Sequence, residues 1–408
     1  MEREVDIIIV GSGLVGAAAA ACLAVAGLKV VVLEKNLPGH TVTTDYRPLT
    51  LNYASVQVLR ALQLWPAIAD NATAVNAVHV SQQHAFGSLQ FTADKLRVPF
   101  LGQVVSYHEL SKVLYQAMTA QSDIIVVDTI EDIQLGDDAA TLSFLQQGQL
   151  QQLKAKLIIG CDGLHSVCRE LLGIQVKTRH SDDQALSFVV SLSESHQQVA
   201  RQRFTDEGSL ALLPMVSPNQ YRLVWTVSSQ TAERLQGLDS VALIREVEQH
   251  FYGYIPPIQD IAFMAAYPLA TLSVAEQVKQ RFVLLGNAAH TFYPTTAQGF
   301  NLGLRDAAAL AQLVTEAVSE EKDIASLSVL KAYEQWRLPD QRAVVRITQH
   351  GYDCFDLRLP LSGLLRGLGL AAVDSMPIIK RRIGQRLLGL SGKVPLLALG
   401  VALECYHD

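Results

Sequence analysis

Three glycines near the start of the chain have a spacing that binds dinucleotides. Gly11, Gly13 and Gly16 follow a β-branched run over 5–10, which predicts a strand, and precede an alanine-rich stretch, which predicts a helix. Such glycines allow a tight turn, a close approach of the backbone to a pyrophosphate and close packing of the helix on the strand. The free N–H groups at the start of the helix would hold the phosphates, because the helix dipole is positive there.

The same spacing continues through a second predicted strand, 30–33, to Glu34. A carboxylate at the end of that strand accepts hydrogen bonds from a ribose and disfavours a 2′-phosphate, so the site favours FAD or NAD over NADP. The region also contains 22 successive uncharged residues, 7–28, a length that would span a membrane. We assign this stretch to a βαβ unit instead, because the glycines divide it where a strand would meet a helix.

Residues late in the chain suit a flavin. The segment 281–285, which is apolar after Arg281, predicts a buried strand that leads into Gly286 and Asn287. Gly299 precedes a segment, 301–318, whose apolar residues have helical spacing. The start of that helix would face the negative charge that develops at N1 and the C2 carbonyl of a reduced flavin. The Asn287 side chain would hydrogen-bond the ribityl chain.

A further strand, predicted from the apolar run 157–160, ends close to Asp162 and Gly163. By itself this is only a strand and a turn. Together with the two motifs above, it resembles the class A flavoprotein aromatic hydroxylases, the group typified by para-hydroxybenzoate hydroxylase. Segments 45–51, 78–81, 101–105 and 210–215 look like those of the ubiquinone-biosynthesis hydroxylases, and the motif around Asn287 is most similar to that of the 2-polyprenyl-6-methoxyphenol hydroxylases. The resemblance covers nearly the whole chain.

The resemblance implies an α/β fold. A Rossmann-like FAD-binding domain of the para-hydroxybenzoate hydroxylase type would carry an inserted antiparallel-sheet substrate domain and a helical C-terminal segment. It also implies a set of FAD-binding residues, namely Gly11, Gly13, Gly16, Glu34, Arg47, Gln103, Asp162, Gly163, Gly286, Asn287, Gly299 and Asn301. Two residues depart from the family pattern: Asn287 stands where many relatives have aspartate, and Ala297 where they commonly have glycine.

The implied reaction is the hydroxylation of a polyprenylated phenol, from 2-polyprenyl-6-methoxyphenol to the 1,4-benzoquinol, in ubiquinone biosynthesis. NADH or NADPH would reduce the FAD transiently, and O2 would be the co-substrate. Because the cofactor performs the difficult step, no side chain is assigned a catalytic role. Two alternatives stay open: a hydroxylase of the same pathway that acts at another ring carbon, and a noncatalytic flavin-bearing subunit of a quinone-synthesis assembly.

The motifs predict a discontinuous organisation. The FAD-binding domain would comprise 1–75, 101–178 and 275–350, the substrate domain 76–100 and 179–274, and a basic apolar helical segment 351–408. Strands predicted over 187–192, 209–215 and 221–227 would form a sheet over the flavin, with the substrate between the two layers. Five residues are candidates for substrate contact, each with core packing as an equal alternative: Leu212, Pro214, Trp225, Tyr293 and Pro294.

Composition limits the function classes. Of the 408 residues, 49% are hydrophobic and 18% charged, which is enough apolar material for a large core. A net charge of −6 gives no basic face, so we predict no nucleic-acid partner. Five scattered cysteines favour neither a disulfide framework nor a metal site, and the N-terminal sequence MEREVD lacks the basic start of an export signal. We therefore expect a cytoplasmic protein.

The C-terminal section differs in charge from the rest. From residue 357 onward it has seven basic and three acidic residues, in a chain that is negative overall. Its leucines and glycines intersperse with the cations, a pattern that suits the interface of an anionic membrane. This favours a peripheral location on the inner face of the cytoplasmic membrane. The alternative is a helical pair that packs on the FAD-binding domain or on another ubiquinone-biosynthesis protein.

Overall fold

The computed structural model describes residues 3–36, 47–84, 87–291, 298–356 and 372–404. The strands of these ranges are β1 Arg3–Val10, β2 Val30–Glu34, β3 Pro48–Asn52, β4 Thr73–Val75, β5 Ala77–Gln82, β6 Ser88–Thr92, β7 Gly102–Ser106, β8 Asp123–Val126, β9 Thr129–Leu135, β10 Ala140–Gln146, β11 Gln149–Gly160, β12 Val176–Leu192, β13 Val199–Thr205, β14 Gly208–Pro214, β15 Gln220–Ser228, β16 Ile258–Val274, β17 Val278–Lys279, β18 Phe282–Leu284 and β19 His290–Thr291. The α-helices are α1 Leu14–Leu23, α2 Tyr53–Ala61, α3 Pro66–Ala69, α4 Ala93–Leu96, α5 Tyr107–Gln121, α6 Val167–Leu171, α7 Ser229–Gln236, α8 Ser240–Phe251, α9 Gln298–Ser319, α10 Leu327–Asp356 and α11 Pro377–Leu387.

A parallel sheet forms the centre of the domain that the sequence predicts to bind FAD. Its central strands lie in the order β18, β11, β1, β2, β8, and every neighbouring pair of these five is parallel. Three further strands extend it by antiparallel pairs: β17 on β18, β10 on β11 and β9 on β10. Ile7 and Ile9 of β1 pack with α1, α5 and α9 on one face, whereas Ile8 packs with β9 and β10 on the other. Because both faces are covered, β1 is an unbroken apolar run rather than an alternating one.

The uncharged stretch 7–28 therefore contains the second half of β1 and the whole of α1, in agreement with the predicted strand and helix. Among the residues that the structure describes, no helix is long and apolar enough to cross a membrane.

A second sheet has the order β19, β16, β12, β15, β14, β13, β5, β6. Its pairs are antiparallel apart from β13 with β5, which run parallel. Leu223 and Trp225 point to the face covered by α7 and α8, so Arg222 and Val224 point to the opposite face, since successive side chains of a strand alternate. The predicted α/β architecture with an inserted, mainly antiparallel sheet is confirmed.

A small sheet of β3, β7 and β4 separates the two large ones. Val75 of β4 and Val104 of β7 pack against Ala200 and Leu213 of the second sheet. The face of the second sheet that α7 and α8 leave uncovered is thus the one that meets the FAD-binding domain.

The C-terminal segment packs on the rest of the chain. On α11, Ile383 and Leu387 contact a cluster that includes Leu89 and Phe91 of β6, and a Cβ at Gly384 would lie 2.6 Å from Leu96. Further on, 397–403 enters the core beside α2 and α9. The packing alternative from the sequence therefore holds for the buried face of this segment. Residues 357–371 lie outside the described ranges.

Candidate FAD site and substrate cleft

The turn after β1 requires glycine at two positions. Gly11 has a φ of +98°, and a Cβ on it would lie 2.7 Å from the carbonyl oxygen of Cys161, the residue that follows β11. A Cβ on Gly16 would lie 2.0 Å from the carbonyl oxygen of Gly11. Both contacts are with backbone atoms, so a side chain at Gly11 would push the turn away from Cys161, and one at Gly16 would displace α1 from the end of β1.

Gly13 faces open space instead. It is the N-cap residue of α1, and a Cβ on it would meet no atom within 4 Å. No side chain caps this helix, and its first turn has no acidic residue. The first N–H groups of a helix need acceptors from elsewhere, and the dipole makes an anion favourable there. This end of α1 therefore fits a pyrophosphate, as the sequence predicts.

Glu34 lies beside the same turn. Its Oε2 accepts hydrogen bonds from the Ser12 N–H, at 2.6 Å, and from the Ser12 hydroxyl, at 2.7 Å. Its Oε1 accepts bonds from the N–H groups of Lys35 and Asn36. The carboxylate thus fixes the glycine turn as well as standing where a ribose contact was predicted. Sequence reasoning missed Ser12, although a hydroxyl between two motif glycines was the available signal.

Asp162 is brought to the glycine turn by the pairing of β11 with β1. Its Oδ2 accepts a hydrogen bond from Cys168 N–H at 3.0 Å, whereas its Oδ1 is buried without a partner among the described residues. A Cβ on Gly11 would lie 3.0 Å from the Asp162 Cα, so the N-terminal glycine motif and the turn at Asp162 are in contact. A buried carboxylate oxygen without a donor is costly, and the hydroxyls of a ribityl chain would satisfy it.

We expect Asp162→Ala to weaken FAD binding by about 10- to 100-fold, the range for losing a hydrogen bond to a charged group. Quenching of flavin fluorescence during titration measures the dissociation constant. Ser166→Ala is the matched control, because the Ser166 hydroxyl caps α6 through Arg169 N–H at 3.1 Å without touching the unpartnered oxygen. Equal losses in both variants would show that Asp162 acts only by holding α6.

The motif around Gly286 and Asn287 meets the N-terminal glycine motif at Val15. A Cβ on Gly286 would lie 2.9 Å from the Val15 side chain, and one on Gly303 of α9 would lie 2.7 Å from it. Gly286 has a φ of +60°, and Asn287 after it is exposed. A Cβ on Gly299, in the first turn of α9, would meet no atom within 4 Å. The structure therefore gathers all three motifs around the start of α1.

Asn301 has a bracing role. Its Oδ1 accepts a hydrogen bond from Asn52 N–H at 2.8 Å, and its Nδ2 donates one to the Thr50 carbonyl oxygen at 2.7 Å. The side chain thus ties α9 to the junction of β3 and α2. Contact of Asn301 with FAD stays a prediction.

Arg47 and Gln103 lie on the side of the site that faces the second sheet. The Arg47 guanidinium stands 5.2 Å from the ring centre of Tyr107 on α5 and 4.9 Å from that of Tyr267 on β16. Gln103 is buried in β7, between β3 and β4. Arg47 thus spans the two layers of the protein, and contact of either residue with FAD stays a prediction.

The structure places the predicted substrate residues differently from one another. Leu212 and Trp225 belong to the apolar cluster under α7 and α8, and Pro214 lies on the same face of β14 as Leu212 by strand alternation. These three side chains therefore point away from the layer boundary, which favours the core-packing alternative. Tyr293 and Pro294 lie outside the described residues.

A buried ionic network under α9 was not predicted. His290 Nε2 lies 2.8 Å from Asp306 Oδ2, and Arg337 Nε lies 2.6 Å from Asp306 Oδ1. Asp340 binds both Arg337 and Arg305, at 2.6 and 3.1 Å. Burial alone would raise the pKa of Asp306, but Arg337 and the bond to His290 outweigh it and hold that pKa at about 2.

Cysteine chemistry has no support at this site. Burial raises the pKa of the Cys161 thiol, with a further contribution from Asp162, and burial raises that of Cys22 to about 12. Both thiols therefore stay protonated at neutral pH and are poor nucleophiles.

The geometry fits FAD. Gly11, Gly13 and Gly16 would hold the pyrophosphate, Glu34 would lie beside the ribose, and Asp162 would bind the ribityl chain. When bound, the flavin supplies hydride acceptance from NADH or NADPH and the activation of O2. The protein's own contribution is to bind and orient the reactants and to exclude water.

This fold and site define a class A, FAD-dependent aromatic monooxygenase. The chain belongs to the FAD binding domain family, which it matches over residues 4–348. Within that class it is related to the ubiquinone hydroxylases. It is 31% identical to the 3-demethoxyubiquinol 3-hydroxylase of Escherichia coli strain K12, covering 95% of this chain and 99% of the relative. It is 28% identical to the ubiquinone hydroxylase UbiL of Rhodospirillum rubrum, covering 98% and 94%.

Solved structures share the fold. The p-nitrophenol 4-monooxygenase PnpA of Pseudomonas putida aligns with a TM-score of 0.76 at 19% identity, covering 96% of this chain and all of that one. PqsL of Pseudomonas aeruginosa aligns with a TM-score of 0.72 at 21% identity, covering 90% and 99%.

Proposed function

We propose that the enzyme hydroxylates the ring of a polyprenylated phenol in ubiquinone biosynthesis, converting 2-polyprenyl-6-methoxyphenol to the 1,4-benzoquinol. The observation that carries this proposal is the near full-length similarity to proteins named as ubiquinone hydroxylases, at 31% and 28% identity. The three motifs that converge on the start of α1 would bind the FAD that the reaction needs. NADH or NADPH donates the hydride, and O2 provides the inserted oxygen atom.

The substrate ring would lie between the parallel sheet and the second sheet, on the face of β12, β14 and β15 that α7 and α8 leave free. That face presents apolar residues such as Val189, Leu213 and Val224. An aromatic ring with an isoprenoid chain would be held there chiefly by the burial of apolar surface.

The ring carbon is decided by product analysis. The purified FAD-loaded enzyme is incubated with a short-chain 2-prenyl-6-methoxyphenol, NADH or NADPH, and ¹⁸O2, and the product is identified by mass and NMR spectra. A labelled 1,4-benzoquinol supports the proposal. Labelled oxygen at another carbon assigns the alternative hydroxylase of the same pathway, a reading that the E. coli relative's own name favours.

A noncatalytic flavin-bearing subunit is the second alternative. It predicts flavin absorbance without substrate-dependent oxidation of NADH or NADPH. A deletion strain also distinguishes the hydroxylase from the noncatalytic subunit. Cells that lack the hydroxylase should accumulate one methoxyphenol precursor, whereas cells that lack an assembly subunit should accumulate the precursors of several steps.

We further propose that the exposed face of α11 contacts an anionic membrane surface. Ile378 is 74% exposed and Met376, just before the helix, is 49% exposed, and the outward Arg381 and Arg382 follow one turn later. Met376 and Ile378 would insert among the acyl chains, and Arg381 and Arg382 would contact the anionic headgroups. Such a contact would bring the cleft to the lipid-dissolved substrate.

The test is sedimentation with vesicles. The double substitution Arg381→Gln and Arg382→Gln should reduce binding to phosphatidylglycerol vesicles about 30-fold, at about 1 kcal/mol for each cation. Ile378→Glu should abolish binding to the same vesicles, because it places a negative charge at the apolar tip of the contact. Val241→Glu is the control, because Val241 is 59% exposed on α8, which lies on the far side of the second sheet. Unchanged binding in the first two variants would leave α11 a protein contact.

A further inference from the structure

One buried cation lies at the boundary between the two layers, with no anionic partner in the described part of the chain. Arg222 of β15 is 6% exposed, and its Nε and Nη1 are buried with no hydrogen-bond partner among the described residues. Strand alternation places it on the face that meets the FAD-binding domain, opposite to Tyr221 and Leu223. Its neighbours on that face are Val189 of β12 and Leu213 of β14.

A second unpartnered group lies next to it. The Ser187 hydroxyl is buried, at 4% exposure of the residue, and has no hydrogen-bond partner among the described residues. Ser187 pairs with Val224, two residues along β15 from Arg222, so both side chains project from the same face on adjacent strands. Two independent polar groups are therefore aimed at one apolar surface.

The surroundings of Arg222 do not neutralise it. Burial lowers the pKa of its guanidinium, and the nearby Tyr267 phenol partly opposes this effect. Tyr267 itself carries the Arg47 guanidinium over its ring. A buried charge without a counterion is strongly unfavourable, so this arrangement is best accounted for by an anionic occupant that arrives with the substrate.

We infer that Arg222, with Ser187, binds the phenolic oxygen of the substrate ring and holds it as a phenolate. This rests on the proposed function, which makes the substrate a phenol. A phenol has an ordinary pKa near 10 and is mostly neutral at pH 7. An adjacent guanidinium favours the charged form, so the O–H bond breaks, the proton passes to solvent and the electron pair stays on oxygen. The carbon para to that oxygen becomes more electron-rich and hence more reactive toward the oxygen atom that the flavin delivers.

Arg203 provides a matched comparison. It lies on β13, is 3% exposed, and points to the opposite face, where it donates hydrogen bonds to the His250 carbonyl oxygen and to the Ser81 hydroxyl. Arg203 therefore has hydrogen-bond acceptors within the protein, whereas the described residues provide none for Nε and Nη1 of Arg222.

The experiment measures binding and stability as well as turnover. FAD-loaded wild type, Arg222→Met, Arg222→Lys, Ser187→Ala and Arg203→Met are titrated with 2-methoxy-6-methylphenol without any reductant. The phenolate ultraviolet band of the bound probe is followed against pH. We expect the wild type to lower the phenol's apparent pKa by about one unit, a tenfold gain in phenolate, and Arg222→Met to lose this gain. Arg222→Lys should retain it to within about threefold, and Ser187→Ala should lose part of it.

Thermal melting of the substrate-free variants separates this role from a structural one. Arg222→Met fills the same space and removes an unpaired buried charge, so its melting temperature should equal or exceed that of the wild type. Arg203→Met should melt lower, because it leaves two acceptors unsatisfied. A destabilised Arg222→Met, or one whose bound probe keeps the wild-type pKa, overturns the inference.

Two further outcomes distinguish this inference from the proposed function. If 4-hydroxybenzoate competes with the probe in the wild type but not in Arg222→Met, and the phenolate band is absent, Arg222 binds a carboxylate and the inference is overturned. If the phenolate band depends on Arg222 while polyprenylated methoxyphenols are not hydroxylated, the inference holds and the proposed function fails.

Discussion

Gly13→Ala should weaken FAD binding at least about tenfold while leaving the FAD-free protein almost as stable as the wild type. The new methyl group meets no protein atom within 4 Å, so it enters only the space predicted for the pyrophosphate. Its effect on helix capping is limited to about 1 kcal/mol or less. Isothermal titration with FAD and urea unfolding of the FAD-free form measure the two quantities.

Gly16→Ala should impair both properties. Its Cβ would stand 2.0 Å from the Gly11 carbonyl oxygen, so α1 must move away from β1 before any cofactor is added. We expect a loss of about 3 kcal/mol in the free energy of unfolding of the FAD-free form and FAD binding weakened by more than about 100-fold. If both variants lost stability equally, the open space at Gly13 would not be a ligand site.

The second large effect concerns the buried network under α9. Asp306→Asn should reduce the free energy of unfolding by about 3–5 kcal/mol, because it removes the carboxylate shared by Arg337 and His290 and leaves buried positive charge uncompensated. Urea unfolding of the FAD-free protein measures the loss. Glu320→Gln is the control: Glu320 and Lys322 form an exposed ion pair, and such pairs contribute about 0–1 kcal/mol.

The same carboxylate gives a pH dependence. The pKa of Asp306 is held at about 2 in the folded protein, against 3.8 for an unperturbed aspartate. A depressed folded pKa stabilises the protein above the unfolded pKa, so this contribution is complete above about pH 4 and is lost as the pH falls toward 2. The stability of Asp306→Asn should therefore fall less steeply between pH 4 and pH 2. Parallel profiles for variant and wild type would contradict the assignment.

Local sequence patterns were sufficient for the cofactor motifs. The turn at Gly11, the start of α1 and the position of Glu34 depend on residues close in the chain, so spacing alone predicts them. The convergence of the three motifs on the start of α1 was implied only by the family resemblance. It depends on the pairing of β1 with β11 and of β11 with β18, which join residues more than one hundred positions apart.

The substrate side shows where such reasoning fails. Over 221–227 of β15 the residues on both faces are apolar or aromatic apart from Arg222 and Thr226, so the pattern predicts a strand but not which face meets the flavin layer. That choice is made by α7 and α8, which pack on the face of Leu223 and Trp225. The Asp306 network was missed for a related reason: its partners come from β19, α9 and α10, and no local pattern links them.

The packing of the C-terminal segment has a consequence for how the protein is made. The Leu388 carbonyl oxygen accepts a hydrogen bond from Ala54 N–H, and Leu397, Ala398 and Leu403 complete the core on which α2 and α9 rest. During synthesis, the layer that holds FAD therefore stays open on one side until residues near 400 have left the ribosome. The nascent chain would expose apolar surface throughout that interval, and it would depend on chaperones or on prompt completion to avoid aggregation.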